Sequence, residues 1–383
     1  MAPLSRSGRA EGWARAGEGT GEGAQSQRKM RYTDAMAETV AQAPRGRAAA
    51  GNPQNRFERI AVELEEPGPD RVPTELLRDG SRSIITYNDS PDVPFDASLN
   101  PYRGCEHGCI YCYARPTHEY LGFSAGLDFE TRIMVKEDAP ELLRRELSSP
   151  RWQPQTLAMS GVTDPYQPVE RKLEITRRCL AVLAEFRNPV GVITKNALVT
   201  RDIDHLSALV EHGAAAVMLS ITTLDPDLAR VMEPRASHPR DRLEAVARLN
   251  AAGIPTGVMV APVVPAITDH EMPRILEAAA AAGARSAGYV LMRLPGAVAG
   301  LFEAWLAEHF PDRKDKVLNR VRELRGGQLN DPRFGSRMRG EGAYAEQIRS
   351  TFQTFRRRYG LDQPHPKLSV AAFRRPGEQM SLF

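Results

Sequence analysis

Apolar and polar positions change their period several times along the chain, and those changes divide it. Residues 1–55 are rich in Gly, Ala, Arg, Ser and Gln and carry almost no periodic apolar pattern. Such a segment buries too little surface to offset its chain entropy, so a disordered basic tail is expected there. Residues 56–95 form a mixed lead-in with a short strand at 83–87. From there, Val/Ile/Leu/Met-rich runs at 155–162, 190–194, 215–222, 256–264 and 287–294 alternate with amphipathic stretches at 170–186, 203–212, 240–252 and 271–282. Continuous apolar strands separated by helices indicate parallel pairing with both sheet faces covered. Counting a first strand just before Cys105, the pattern predicts an α/β fold: a partial (β/α)6 TIM-type barrel over 96–298. A helical C-terminal extension follows over 299–375, with helices at 299–309, 314–324 and 344–359, and then an exposed tail over 376–383.

Composition narrows the class. The chain has 383 residues, 42% hydrophobic and 26% charged, enough for one large core or two modest ones. No apolar run approaches the ~20 residues needed to span a bilayer, so no membrane association is expected. The N-terminus has no charged start followed by an apolar core of the secretory type. Four cysteines, three of them clustered, make no disulfide framework, and a cytoplasmic location is expected. The net charge of +3 is unevenly spread: residues 313–359 hold thirteen Lys or Arg against five Asp or Glu. That excess suits a nucleic-acid backbone, and equally a solvated helix face.

The candidate chemistry lies in Asn100-Pro-Tyr-Arg-Gly-Cys105-Glu-His-Gly-Cys109-Ile-Tyr-Cys112-Tyr-Ala-Arg-Pro. Three cysteines fall within eight positions as Cys-x3-Cys-x2-Cys, with Gly104 and Gly108 letting the backbone wrap around something they share. A structural zinc site closes with four ligands, usually in two separated pairs; here there is no second pair, and His107 lies between two ligands. A cubane cluster takes one thiolate per iron, so three cysteines would leave one iron open. Residues 113–121 are expected to be helical with Cys112 near the start, where free amides favour an anionic group.

This spacing, with Tyr111 before the last cysteine, resembles the signature of the radical S-adenosylmethionine (AdoMet) enzymes. The resemblance implies a [4Fe-4S] cluster on Cys105, Cys109 and Cys112, with AdoMet chelated at the open iron and cleaved to methionine and a 5′-deoxyadenosyl radical. It also implies a partial barrel with its chemistry at the C-terminal strand ends, and an external electron donor such as flavodoxin or ferredoxin. Within the superfamily, Thr163-Asp-Pro-Tyr-Gln-Pro168 and the Cys-x-His-Gly-Cys-x-Tyr-Cys-Tyr-Ala-Arg-Pro string resemble a bacterial group related to spore photoproduct lyase. By that likeness Ser160, Gly161 and Thr163 contact the methionyl amino group, and Lys195 and Ser220 contact the AdoMet carboxylate and ribose. Tyr111 and Tyr113 lie near the cofactor, Tyr113 being the catalytic candidate for hydrogen transfer. Where that lyase carries a hydrogen-donor cysteine, this chain has Met159 and Ser160, neither of which donates a hydrogen atom as a thiol does.

Read from the residues alone, Thr163 or Asp164 also suits a helix cap, Glu233 suits pairing with Arg235 or with substrate, and Arg293 suits an anion clamp near the cofactor or a structural ion pair. Cys179 reads as a core cysteine. The last five residues, Gln379-Met-Ser-Leu-Phe383, resemble the short peptide by which bacterial repair proteins dock on the sliding clamp. These features together give the expected activity: a radical AdoMet enzyme acting on nucleic acid in repair or modification. The alternatives are the same chemistry on a protein, peptide or small molecule, or a non-enzymatic metal-binding or redox-sensing module on DNA.

Overall fold

The computed structural model describes residues 42–58 and 71–376. Among them, ten strands form two sheets: β1 (Glu75–Arg78), β2 (Ile85–Tyr87), β3 (Ala97–Leu99), β4 (Tyr102–Arg103), β5 (Arg132–Val135), β6 (Leu157–Met159), β7 (Val190–Thr194), β8 (Ala215–Ser220), β9 (Thr256–Val263) and β10 (Ser286–Leu291). The larger sheet runs β10-β9-β8-β7-β6-β3-β2. Its six strands from β3 to β10 are parallel, and β2 adds an antiparallel edge. The six parallel strands expected from the apolar pattern are therefore present.

Helices Ile175–Phe186, Ile203–Val210, Pro239–Ala251 and Met272–Ala281 fill the crossovers. Their buried faces, such as Leu206 with Leu209 and Ile275 with Leu276, join the strands in one apolar core. The sheet curls. Although β3 and β10 lie at opposite ends of the parallel set, Met292 and Leu294, just after β10, share an apolar cluster with Cys109, Ile110 and Tyr111, which follow β3.

Several expectations need correction. The first core strand, β3, ends six residues before Cys105 rather than adjoining it. Between them β4 pairs with β5, and with β1 these make a separate three-stranded sheet. The single helix expected over 170–186 is two, Glu170–Leu173 and Ile175–Phe186, parted by Glu174 in the left-handed region (φ 51°). The break has a cause: the buried Glu170 carboxylate accepts the backbone N–H groups of Thr176 (3.0 Å) and Arg177 (3.3 Å) and so caps the second helix. The helix expected over 113–121 is a 3-10 segment, Arg115–Leu121, ended by Gly122; Cys112 precedes it in a turn.

The packed body begins before the boundary at 55 drawn from composition, because Arg47, Ala48, Ala49 and Asn55 are buried. At the other end, the extension protects the free edge of β10, which would otherwise present unpaired backbone groups. Ala287 donates to the Leu361 carbonyl (3.1 Å), and helix Gly342–Arg358 sets Phe352 against Tyr289, ring centroids 4.6 Å apart. The peptide Gln379–Phe383 lies outside the described residues. Among the described residues no helix is long and apolar enough to cross a membrane.

Candidate metal centre and barrel mouth

The cysteine loop needs its two glycines. Both Gly104 (φ +78°) and Gly108 (φ +65°) are left-handed, and a Cβ on Gly108 would stand 2.6 Å from Glu130 Oε2. Short backbone bonds shape the loop: Gly108 N–H to Cys105 O (3.2 Å), Cys112 N–H to Cys109 O (3.1 Å) and Arg115 N–H to Cys112 O (3.2 Å).

Side chains then pin it from three directions. Fully buried Arg115 donates to the Gly108 carbonyl (2.9 Å) and the Cys109 carbonyl (3.0 Å), and pairs with buried Glu130 at 2.6 Å. Glu130 also accepts the backbone N–H groups of Ala48 and Ala49. From β6's exit, Gln167 accepts the Glu106 N–H (2.8 Å) and donates to the Gly104 carbonyl (3.2 Å). On the third side His107, 1% exposed, lies between Asp164 (3.4 Å) and Asn196 (3.2 Å), while Arg235 holds Glu106 at 2.8 Å. Burial raises the Asp164 carboxyl, but His107, the Thr194 hydroxyl and the Lys195 N–H outweigh it and hold it below the ordinary value.

Cys105 and Cys109 are buried and Cys112 half-buried, and none is in a disulfide. Burial pushes all three thiols up, and the Asp164 carboxylate raises Cys105 further and the Glu233 carboxylate Cys109. Among the described residues no three His, Cys, Asp or Glu side chains close on a single ion. His107 is engaged by Asp164 and Asn196. A cubane takes its thiolates on separate irons, one to each, and this loop brings three cysteines within eight positions. Cys179, fully buried in helix Ile175–Phe186, is a core residue as expected.

The other expected site residues separate into two groups. The first is at the mouth. The half-exposed Tyr113 donates its hydroxyl to the Gly161 carbonyl, and Arg293 stands over its ring, 5.0 Å from the centroid. These residues follow β3, β6 and β10, so the contact joins the first, second and last strand ends of the parallel set. Ser160 is half-buried beside them, whereas Thr163 turns inward and donates to the Tyr102 carbonyl (3.2 Å).

The second group lies deeper, with Lys195 half-buried and Tyr111, Ser220 and Glu233 buried. Lys195 does not end as a free cation: its Nζ lies 3.1 Å from Glu233 Oε1 and donates to Thr222 (3.0 Å) and the Ala261 carbonyl (2.9 Å). Glu233, 2% exposed, also receives the Tyr111 hydroxyl, the Thr222 hydroxyl (2.7 Å) and the Arg242 guanidinium. Arg242 in turn donates to the Ser220 carbonyl (3.0 Å). Burial alone would raise the Glu233 carboxyl; Arg242 and Lys195 reverse that and hold it well below the usual carboxylate range. Glu233 therefore pairs with Lys195 and Arg242, and Arg235 with Glu106, an arrangement the sequence left open. Arg115, Glu130, Gln167 and Arg242 were missed by sequence reasoning. Gln167 and Arg115 left a signal, as parts of the Thr-Asp-Pro-Tyr-Gln-Pro and Cys-Tyr-Ala-Arg-Pro strings, whereas Glu130 and Arg242 left none.

Comparison with known proteins accords with this geometry. The Radical SAM superfamily profile matches residues 99–279. An uncharacterized protein of Mycobacterium tuberculosis is 37% identical over 250 residues, covering 64% of this chain and 72% of that protein. A radical SAM Nalpha-GlyT isomerase of Pseudomonas phage M6 is 28% identical over 173 residues, 45% of this chain and 34% of that protein. Among solved structures, a spore photoproduct lyase mutant with bound AdoMet and dinucleoside spore photoproduct shares the fold with a TM-score of 0.54 at 14% identity, over 74% of this chain and 78% of the lyase. A [4Fe-4S] cluster and AdoMet are the cofactors of the matched superfamily. The chain belongs to the radical SAM superfamily.

Proposed function

We propose that Cys105, Cys109 and Cys112 hold the cluster of a radical AdoMet enzyme whose target is nucleic acid. One observation carries the reading: the three-cysteine loop is stapled at the place where the first, second and last strand ends meet, with the half-exposed Tyr113 beside Cys112. The cluster with AdoMet bound supplies one-electron cleavage of the sulfonium and a 5′-deoxyadenosyl radical. The chain's own residues orient and shield. Ser160, Gly161, Lys195 and Ser220 occupy the strand ends around the loop, Tyr111 is fixed by Glu233 behind it, and Tyr113 faces the mouth as the hydrogen-transfer candidate.

For Lys195 to meet the AdoMet carboxylate it exchanges part of its contact with Glu233. The substrate class is supported by the cationic, aromatic rim at Tyr113 and Arg293, and by the dinucleoside ligand named for the lyase that shares the fold. Met159 and Ser160 remove the thiol hydrogen donor, so a reaction other than spore photoproduct reversal is proposed. A flavodoxin- or ferredoxin-type protein is the proposed reductant.

Anaerobic reconstitution with iron and sulfide, followed by reduction with AdoMet, is expected to give about four irons per chain and 5′-deoxyadenosine. Cys109→Ala is expected to give neither, and equal cleavage by that variant would overturn the assignment. One zinc and no sulfide would instead establish the non-enzymatic module.

A further inference from the structure

The extension contributes an arch to the mouth. Residues 325–340 leave helix Lys314–Leu324 and lie across the exit of β10. Arg325 donates to the Leu291 carbonyl (2.9 Å) and the Met292 carbonyl (2.8 Å), and Leu294 donates to the Leu329 carbonyl (3.1 Å). At the crown Phe334 is 56% exposed, with the Arg337 guanidinium 4.4 Å from its ring centroid. Arg337 is anchored to Asp92 and Ser90, in the loop before β3. Its charge reaches both Arg293 and Tyr113.

This rim has a surplus of positive charge and two exposed rings, Phe334 and Tyr113. Arg293 and Arg337 share a single carboxylate, Asp92, and the ion pair of Asp92 is with Arg337. Among the described residues Arg293 makes no ion pair; its partner is the Tyr113 ring. Burial and the neighbouring Arg337 push the Arg293 guanidinium down from its usual value, so an arriving anion would relieve a partly desolvated cation. Guanidiniums interleaved with exposed aromatics are the elements that track a single-stranded backbone and stack its bases.

We propose that the arch, with Arg293, is the gripping surface for single-stranded nucleic acid, a base stacking on Phe334 and a phosphate seated on Arg293 at the approach to Tyr113. The inference rests on the nucleic-acid reading above and refines it to one surface.

Fluorescence anisotropy of the reconstituted full chain with labelled single-stranded DNA and RNA 12-mers, from 50 to 300 mM salt, tests it. Wild-type protein is expected to bind with a salt-sensitive affinity. Phe334→Ala should weaken binding about tenfold with the salt slope unchanged; Phe334→Trp should retain binding; Arg293→Gln should weaken it and reduce the slope by about 0.7, the share of one phosphate. Cluster absorbance and Tm of each variant, expected to match wild type, verify folding. If wild-type protein binds neither oligomer, the nucleic-acid reading falls and this inference with it. If wild type binds and Phe334→Ala and Arg293→Gln bind as tightly, the surface is elsewhere and only this inference falls. Arg293→Gln that weakens AdoMet while leaving oligomer affinity intact would overturn it too, by assigning Arg293 to the cofactor.

Discussion

Arg115 is fully buried, and among the described residues its one carboxylate partner is Glu130. Removing one partner of a buried ion pair typically costs about 3–5 kcal/mol. Glu130→Gln is thus expected to lower Tm by several degrees and to reduce iron retained after desalting, since the pair holds the Gly108 and Cys109 carbonyls. Gly108→Ala should lose the cluster with a smaller effect on Tm, because the clash is local to Glu130 and the left-handed backbone costs about 1–2 kcal/mol; iron and sulfide analysis against circular dichroism separates the two effects. Glu233 gives a pH dependence. Its folded-state carboxyl is depressed, so the stability it contributes is present above the unfolded value of about 4.3 and is lost as pH falls below it. Glu233→Gln should flatten the acid limb of a Tm-against-pH curve between about pH 5 and 2. At this scale the three cysteines and both glycines were legible, because chelation and positive φ restrict residue type. The partners of Lys195 and Glu233 were not, since 38 positions separate these two in the chain (233 − 195).

Among elements, β7 and helix Lys314–Leu324 have the boundaries expected from periodicity. Both are read from neighbours a few positions apart, which the sequence displays directly. The break at Glu174 was invisible because the apolar stripe continues across it, while the cause is the folding back of Glu170 onto Thr176 and Arg177. The edge contact of helix Gly342–Arg358 yields a further prediction. Phe352→Ala, removing a buried ring from Tyr289, should cost about 3–5 kcal/mol, read as a lower urea midpoint with native cluster absorbance retained.

For the whole molecule, an open six-stranded barrel must be held curled, and Arg337 with Asp92, 245 positions apart, ties the β10 side to the loop before β3. A double-mutant cycle with Arg337→Gln and Asp92→Asn should show a coupling of about 0.5–3 kcal/mol; additive losses would mean that the curl is held by the apolar cluster alone. The same view revises the basic count over 313–359. Arg325 is spent on backbone carbonyls, while Arg333, Arg337 and Arg349 pair with carboxylates, so less free charge remains than thirteen residues suggest.

Local physics let the sequence alone determine the alternation of strands and helices and the tight three-cysteine loop with its two glycines, since period, spacing and glycine conformation all act over a few residues. The resemblance carried by that loop pointed to the superfamily. Tertiary structure decided the rest: the neutralisation of Lys195, the staples on the loop, and the joining of Tyr113, Gly161 and Arg293 across the mouth. Those contacts depend on how far the sheet curls, a property of packing between residues distant in the chain.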